Sequence, residues 1–179
     1  LASPGVDRAE NAYSLNFAPE SVKNLILFDV FHHLEYPGTA LAEFWRVLKP
    51  GGRLVLFEPA ASLLGKLVYG LLHREPLGLG WPIRWFAPEG ADIHNQPYYA
   101  AQGNCWRIFE KGEHAERLTD WNRVKVEKLA SLAYLGSGGF SGPQLYPTRC
   151  FPCVRALDRL LSRFPAIFAA RMLVVLEKV

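Results

Sequence analysis

Cysteine is scarce in this sequence, with three residues among 179. An odd, low count argues against a disulfide framework and fits a reducing compartment, so we expect a cytoplasmic protein. Cys150-Phe151-Pro152-Cys153 has the spacing of a redox motif. A structural zinc ion would need two more ligands, and Cys105 is the one thiol left to supply any. We therefore expect no metal site.

An excess of charge of one sign is also missing, as are long apolar runs. Twenty basic and 17 acidic residues give a net charge of +3, and no five like charges are consecutive. Such a balance argues against nucleic-acid binding. No apolar run approaches the roughly 20 residues that a membrane span needs, and the first residues lack the apolar core of a signal peptide. We expect no stable membrane insertion, and a single domain over residues 1–179.

The most regular pattern lies between residues 24 and 59. Leu25–Phe28 and Leu54–Phe57 are short apolar runs of the kind found in parallel strands buried on both faces. Pro37 suits the first turn of a helix, and Pro50-Gly51-Gly52 suits its end. Two buried strands joined by a helix predict a right-handed βαβ crossover in a parallel sheet.

The same segment carries a family resemblance. FDVFHHLE followed by RVLKPGGRLVLFEP resembles the fourth and fifth strands of a class I S-adenosylmethionine-dependent methyltransferase of the type 11 kind. Residues 11–17 resemble the family's D-A-x-x-L-P-F segment, with Asn11 in place of Asp and Asn16 in place of Pro. RMLVVLEKV, residues 171–179, resembles its closing strand. The resemblance implies an α/β fold: a partial Rossmann-like sheet, strands four to seven, with flanking helices.

The resemblance also implies a cofactor, S-adenosyl-L-methionine. Asn11 and Ala12 would hold its adenine edge, and the backbone at Phe28 and Asp29 would face its methionine part. The family's Gly-rich cofactor loop has no counterpart before Asn11, and no G-x-G-x-x-G occurs in the sequence. We therefore expect this chain to correspond to the C-terminal part of the family's domain and to be inactive alone.

The candidate chemical groups follow the two parallel strands, where ligands of open α/β sheets bind. Methyl transfer needs a general base only for a protonated acceptor such as a hydroxyl, and His32 and His33 are candidates because imidazole titrates near neutral pH. The alternative is that this pair only caps and packs. Glu58 would either orient a substrate or bond to neighbouring backbone N–H groups. Asp29 follows a buried strand directly, where a carboxylate needs a donor.

The rest of the chain is less regular. Residues 60–72 are apolar nearly all round, which favours a helix buried against the sheet, with a pocket-lining or membrane-surface helix as the alternatives. Residues 60–123 read as an aromatic-rich insertion or lid. A strand is predicted over Val124–Tyr134, a helix from Val154 to Phe164 that ends at Pro165, and a last strand over Met172–Leu176.

The resemblance implies methyl transfer, and the aromatic-rich insertion together with the apolar stretch before it suggests a small or medium, partly apolar acceptor. The alternative is a non-catalytic, methyltransferase-like interaction module. It rests on the edge of the strand Leu25–Phe28, which has no further strand to pair with and invites association, including homo-oligomerisation.

Overall fold

An open sheet of four strands is the frame of the fold. The computed structural model describes residues 7–72, 77–93, 100–138 and 142–179. In chain order the strands are β1 Val22–Phe28, β2 Leu48–Pro59, β3 Trp121–Leu129 and β4 Arg171–Lys178. The described helices are α1 Pro37–Val47, α2 Leu63–Leu72, α3 Asn104–Phe109, α4 Leu132–Gly136, α5 Phe151–Leu161 and α6 Pro165–Phe168. The fold is α/β and partial Rossmann-like, as the sequence predicts.

The predicted βαβ unit is confirmed. β1 and β2 are parallel neighbours, with Leu25 opposite Leu54 and Phe28 opposite Phe57. Helix α1 connects them, with Pro37 in its first turn and an apolar face that includes buried Leu41 and Phe44. The helix ends at Val47, so Pro50-Gly51-Gly52 belongs to a shift in the register of β2 rather than to the helix end.

The remaining two strands run antiparallel and complete the order β1-β2-β4-β3. The predicted strand over Val124–Tyr134 is wrong at both ends. It begins at Trp121, and it stops at Leu129 because Ser131, with φ +54°, turns the chain into α4. The helix predicted to end at Pro165 ends at Leu161, and Pro165 begins α6, because proline is favoured in the first turn of a helix.

The two faces of the sheet differ in how they are covered. On the first face, Leu54, Leu56 and Val174 are buried in one core with Phe44 of α1 and Ile108 of α3. Residues paired across parallel or antiparallel strands share a face, so Ile26 and Val55, with Phe28, Phe57, Leu173 and Val175, form the second face.

The second face is largely open in the part of the chain that the structure describes. Ile26 is 58% exposed and Phe28 52%, whereas Leu27 between them is 7% exposed. The expectation that β1 is buried on both faces is therefore wrong, because no described helix packs over these two residues. On β3 this face carries Lys125 and Glu127, which form an ion pair of 2.6 Å. Its apolar character thus ends at β4.

None of the helices within the described ranges is both long and apolar enough to cross a membrane.

Substitutions in β1 distinguish the two faces. Leu27→Ala removes a side chain from the core and should lower the free energy of unfolding by roughly 2–4 kcal/mol, measured by urea denaturation. Ile26→Ala, one residue away on the same strand, should cost less than about 1 kcal/mol. Equal losses at the two positions would mean that something covers Ile26 in solution.

Candidate active site

The candidate site forms where β1 and β2 end and β4 begins. Asp29 follows β1, Glu58 lies near the end of β2, and Arg171 opens β4. Because β4 is antiparallel to β2, its first residue lies beside the last residues of β2. Polar atoms of Asp29, His32 and Glu58 lie within 4.8 Å of one another, so three of the predicted site residues are brought together.

Asp29 is held in a left-handed backbone conformation, with φ +53°. Such a conformation is uncommon for a residue other than glycine and costs of order 1 kcal/mol or more. Its N–H donates to the Phe57 carbonyl at 3.1 Å, which extends the ladder between β1 and β2 by one residue. The strained residue is therefore fixed to the end of the neighbouring strand.

The carboxylate of Asp29 meets a buried cation. Arg171, 2% exposed, donates two hydrogen bonds of 2.5 Å to the two oxygens of Asp29, and the Tyr134 hydroxyl donates a third at 3.3 Å. The guanidinium carbon lies 4.4 Å from the ring centre of Tyr134 and 4.9 Å from that of Phe57. A paired and stacked guanidinium is a favoured arrangement for a buried arginine.

Arg171 was missed in the sequence, although one signal was present. It is a charged residue directly before the apolar run Met172–Leu176. A charge that opens a buried strand needs a partner, and Asp29 after β1 has the same need. The two requirements could have been matched once the strand order was known.

Glu58 is fully buried and accepts hydrogen bonds from one short turn. Its carboxylate accepts the backbone N–H groups of Val30 at 3.0 Å, Phe31 at 2.8 Å and His32 at 3.2 Å, together with a contact from Nδ1 of His32. It thus caps the 3-10 turn Phe31–His33. Of the two roles predicted for Glu58, this geometry favours bonding to the backbone over contact with a substrate.

The contact with Glu58 sets the tautomer of His32. The carboxylate already accepts three backbone N–H groups. Because it acts as an acceptor, the ring nitrogen Nδ1 must donate to it. In a neutral imidazole the lone pair is then on Nε2. No described residue hydrogen-bonds Nε2, and His32 lines a cavity. The buried histidine therefore offers its basic nitrogen away from Glu58.

The cavity beside His32 has mainly apolar walls. They include Pro59 at the end of β2 and Ala60 just after it, Gly65 and Tyr69 of α2, and Leu79 from the segment that follows α2. His33 is not among the lining residues; its ring lies 3.8 Å, centre to centre, from that of His32. The hydroxyl of Tyr69 donates to the Ala170 carbonyl at 2.8 Å, which ties α2 to the start of β4.

The other residues predicted to contact a cofactor lie apart from this cluster or at its rim. The Asn11 amide donates to the Ile93 carbonyl at 2.8 Å, and its oxygen accepts the Tyr13 N–H at 2.9 Å. Ala12 packs against the core. Phe28 lies on the open face, 5.6 Å from the Phe57 ring.

Asp29, His32 and Glu58 have the composition of a metal site, but apart from Nε2 of His32 their ligand atoms are already engaged. Both Asp29 oxygens bind Arg171, both Glu58 oxygens accept N–H groups, and Nδ1 of His32 donates to Glu58. A cation here would have to break a buried ion pair, so the geometry is that of a hydrogen-bonded cluster.

Comparison with known proteins finds a family model that matches part of the chain. Residues 3–56 match the family model described as a methyltransferase domain. The resemblance to a class I methyltransferase is confirmed for this segment. An anamorsin homolog of Populus trichocarpa is 33% identical over an alignment of 90 residues that covers 44% of this chain and 32% of the relative. The chain therefore spans about a third of the length of that curated relative.

Solved methyltransferases have similar architecture. The geranyl diphosphate C-methyltransferase of Streptomyces coelicolor A3(2) aligns over 96% of this chain and 52% of its own, with 14% identity and a TM-score of 0.47. A S-adenosylmethionine-dependent methyltransferase of Methanosarcina mazei aligns over 99% and 73%, with 15% identity and a TM-score of 0.46. At these scores neither similarity bears on the activity of this chain.

Loss of the buried cation should be costly. Arg171→Gln leaves Asp29 without its main partner in a strained turn, so we expect a loss of about 3 kcal/mol in the free energy of unfolding by urea denaturation. Arg53→Gln removes an exposed arginine paired with Glu177 and should cost less than about 1 kcal/mol. Similar losses for both variants would show that the Asp29 pair contributes no more than a surface pair.

Tyr69 gives the site a response to alkaline pH. Burial raises the pKa of the Tyr69 phenol in the folded protein. The neutral phenol therefore contributes stability that is fully present below the unfolded-state pKa of about 10, and this contribution is lost as pH rises through the raised pKa. We expect the urea midpoint to fall above about pH 10, and to fall less in Tyr69→Phe. Tyr146→Phe, which also loses a phenol–carbonyl hydrogen bond, is the matched control for loss of the hydroxyl itself. An unchanged response in Tyr69→Phe would contradict this role.

Proposed function

We propose that this chain is the acceptor-side part of a S-adenosylmethionine-dependent methyltransferase, with His32 as the general base. The observation that supports this is the buried His32, whose Nδ1 is tied to Glu58 while its ring lines an apolar cavity. We infer an acceptor that is small or medium and partly apolar, with a hydroxyl or phenol to be deprotonated. Its apolar part suits the walls that Ala60, Gly65 and Leu79 provide.

In this proposal each neighbour of His32 has a positioning role. Glu58 fixes the ring and its tautomer, and it stabilises the imidazolium that forms when Nε2 takes the proton from the acceptor. His33, the other candidate base, packs on the His32 ring. Holding an acceptor oxygen in line at near-contact distance supplies much of the acceleration in such a transfer.

The residues proposed to contact the cofactor do not all suit that role equally well. S-Adenosylmethionine, when bound, supplies an activated methyl group on a sulfonium. The backbone at Phe28 and Asp29 lies at the carboxyl end of β1, where its methionine part would bind, although the Asp29 N–H already donates to the Phe57 carbonyl. Asn11 fits less well, because both polar atoms of its side chain are bonded within the chain. Ala12 would then carry the adenine contact through its N–H.

A second candidate function is a methyltransferase-like interaction module. It is supported by the exposed second face at Ile26 and Phe28 and by the edge position of β1. An apolar face beside an unpaired strand edge favours association, including pairing of two copies. In either case we propose a cytoplasmic location from the three free thiols.

The base role of His32 is testable in the longest natural protein that contains this chain. With 4-hexylphenol as acceptor, His32→Gln should lower methyl transfer at least about 100-fold near neutral pH and remove the acidic limb of the rate profile. His33→Gln, the matched control, should lose less than about tenfold and keep that limb. The measurement is transfer of radiolabel from S-adenosylmethionine as a function of pH.

Two results would contradict the proposal. Equal rates in the two histidine variants would mean that His32 only packs. Cofactor-independent association of the wild-type protein, with no methyl transfer to any phenol tested, would favour the interaction module.

A further inference from the structure

Helix α5 exposes two different surfaces. Its apolar residues Leu157 and Leu160, together with Phe164 just after its end, are between 44% and 54% exposed. Arg155, Arg159 and Arg163 are also exposed, and their spacing of four residues places them in one row. At 100° per residue, the centre of that row lies about 130° around the helix from the midpoint of Leu157 and Leu160, so the arginines flank the two leucines. The helix is therefore amphipathic, and Leu157 and Leu160 are exposed.

The exposed charge of α5 has one sign. Asp158 is its one acidic residue and is turned inward, where it accepts the N–H groups of Leu132 and Ala133 and caps α4. Arg159 and Arg163 form no ion pair with any acidic residue in the described part of the chain. An unpaired row of cations thus flanks the outward apolar side.

The exposed apolar residues continue beyond α5. Ile167 of α6 is exposed, and α6 contacts α2, where Leu63 and Leu67 are exposed. The hydroxyl of Ser62, just before α2, contacts the carbonyl of Ala169, just after α6, which fixes the two helices together. We call the exposed apolar residues of these three helices together the α2–α5–α6 face. Other residues of α2, Gly65 and Tyr69, line the cavity beside His32.

We propose that the α2–α5–α6 face docks on an anionic lipid bilayer. An interfacial helix buries its apolar side at the acyl boundary while Lys and Arg contact lipid phosphates, which is the distribution of residues on α5. A second copy of the chain suits the face less well. A two-fold interface brings each patch against itself, so the arginine rows would face like charge. The cores of protein interfaces are also depleted of unpaired charge.

Docking in this way would let apolar molecules enter the cavity from the bilayer. Because α2 has its leucines on the docking face and Gly65 and Tyr69 on the cavity, a membrane-dissolved molecule would reach the cavity past one helix. The docking surface itself does not depend on methyl transfer and is tested without it.

Vesicle co-sedimentation of the chain tests the electrostatic part. We expect binding to phosphatidylcholine vesicles that contain about a quarter phosphatidylglycerol, and much weaker binding to phosphatidylcholine alone. Arg159→Gln/Arg163→Gln should weaken binding to the anionic vesicles about 25-fold, because each cation near the surface contributes roughly fivefold. Lys23→Gln/Lys49→Gln removes the same charge from exposed lysines elsewhere and should change binding less than about twofold.

The apolar part has its own matched pair. Leu157→Gln/Leu160→Gln should abolish sedimentation with anionic vesicles, whereas Val124→Gln/Val126→Gln, at exposed positions on β3, should leave it unchanged. Circular dichroism melts check that every variant is folded. Equal binding to neutral and anionic vesicles, or equal effects of the paired variants, would overturn the proposal. So would no vesicle binding together with a dimer that Leu157→Gln/Leu160→Gln dissociates by light scattering, since a second copy would then occupy the face.

Discussion

The buried carboxylate of Glu58 is the constraint on which the site depends. An ionised carboxylate out of water must be surrounded by donors, and here four donors come from residues 30–32. Satisfying Glu58 therefore fixes the path of the chain after β1 and the orientation of the His32 ring in one arrangement. The turn that leaves β1 is shaped by the strand beside it as much as by its own sequence.

An ion pair completes the arrangement on the opposite face of the sheet. Glu58 and Met172 are paired and point toward the buried core, whereas Arg171, one residue earlier, points to the open face, where it meets Asp29. The pleat of the sheet thus separates two carboxylates that are close in space. Glu58 has neutral backbone donors and an imidazole, and Asp29 has a guanidinium. Each carboxylate is thus stabilised by its own set of donors.

Short sequence patterns predicted the parts of this fold that are determined within short segments of the chain. The apolar runs at Leu25–Phe28 and Leu54–Phe57, with Pro37 between them, predicted a parallel βαβ unit because burial and helix entry are properties of short segments. The His32, Asp29 and Glu58 candidates came from the rule that ligands bind beyond the carboxyl ends of strands. Their partners were not predictable in the same way. Arg171 lies 142 residues from Asp29, and only the antiparallel insertion of β4 beside β2 brings them together. The exposure of Ile26 was not predicted for a related reason. An apolar side chain indicates that it should be buried, but it does not indicate which element will cover it.

The ion pair Lys125–Glu127 on β3 limits the width of the apolar part of the second face, and so the width of any element that covers it. The apolar residues of that face lie on β1, β2 and β4 and stop where these charges begin. Three neighbouring strands are separated by two spacings of about 4.8 Å, or roughly 10 Å in all. An α-helix with its side chains has a diameter of about 10–12 Å. Among the described residues, this apolar strip is about one helix wide, and a single amphipathic helix laid along the strands would cover its exposed part.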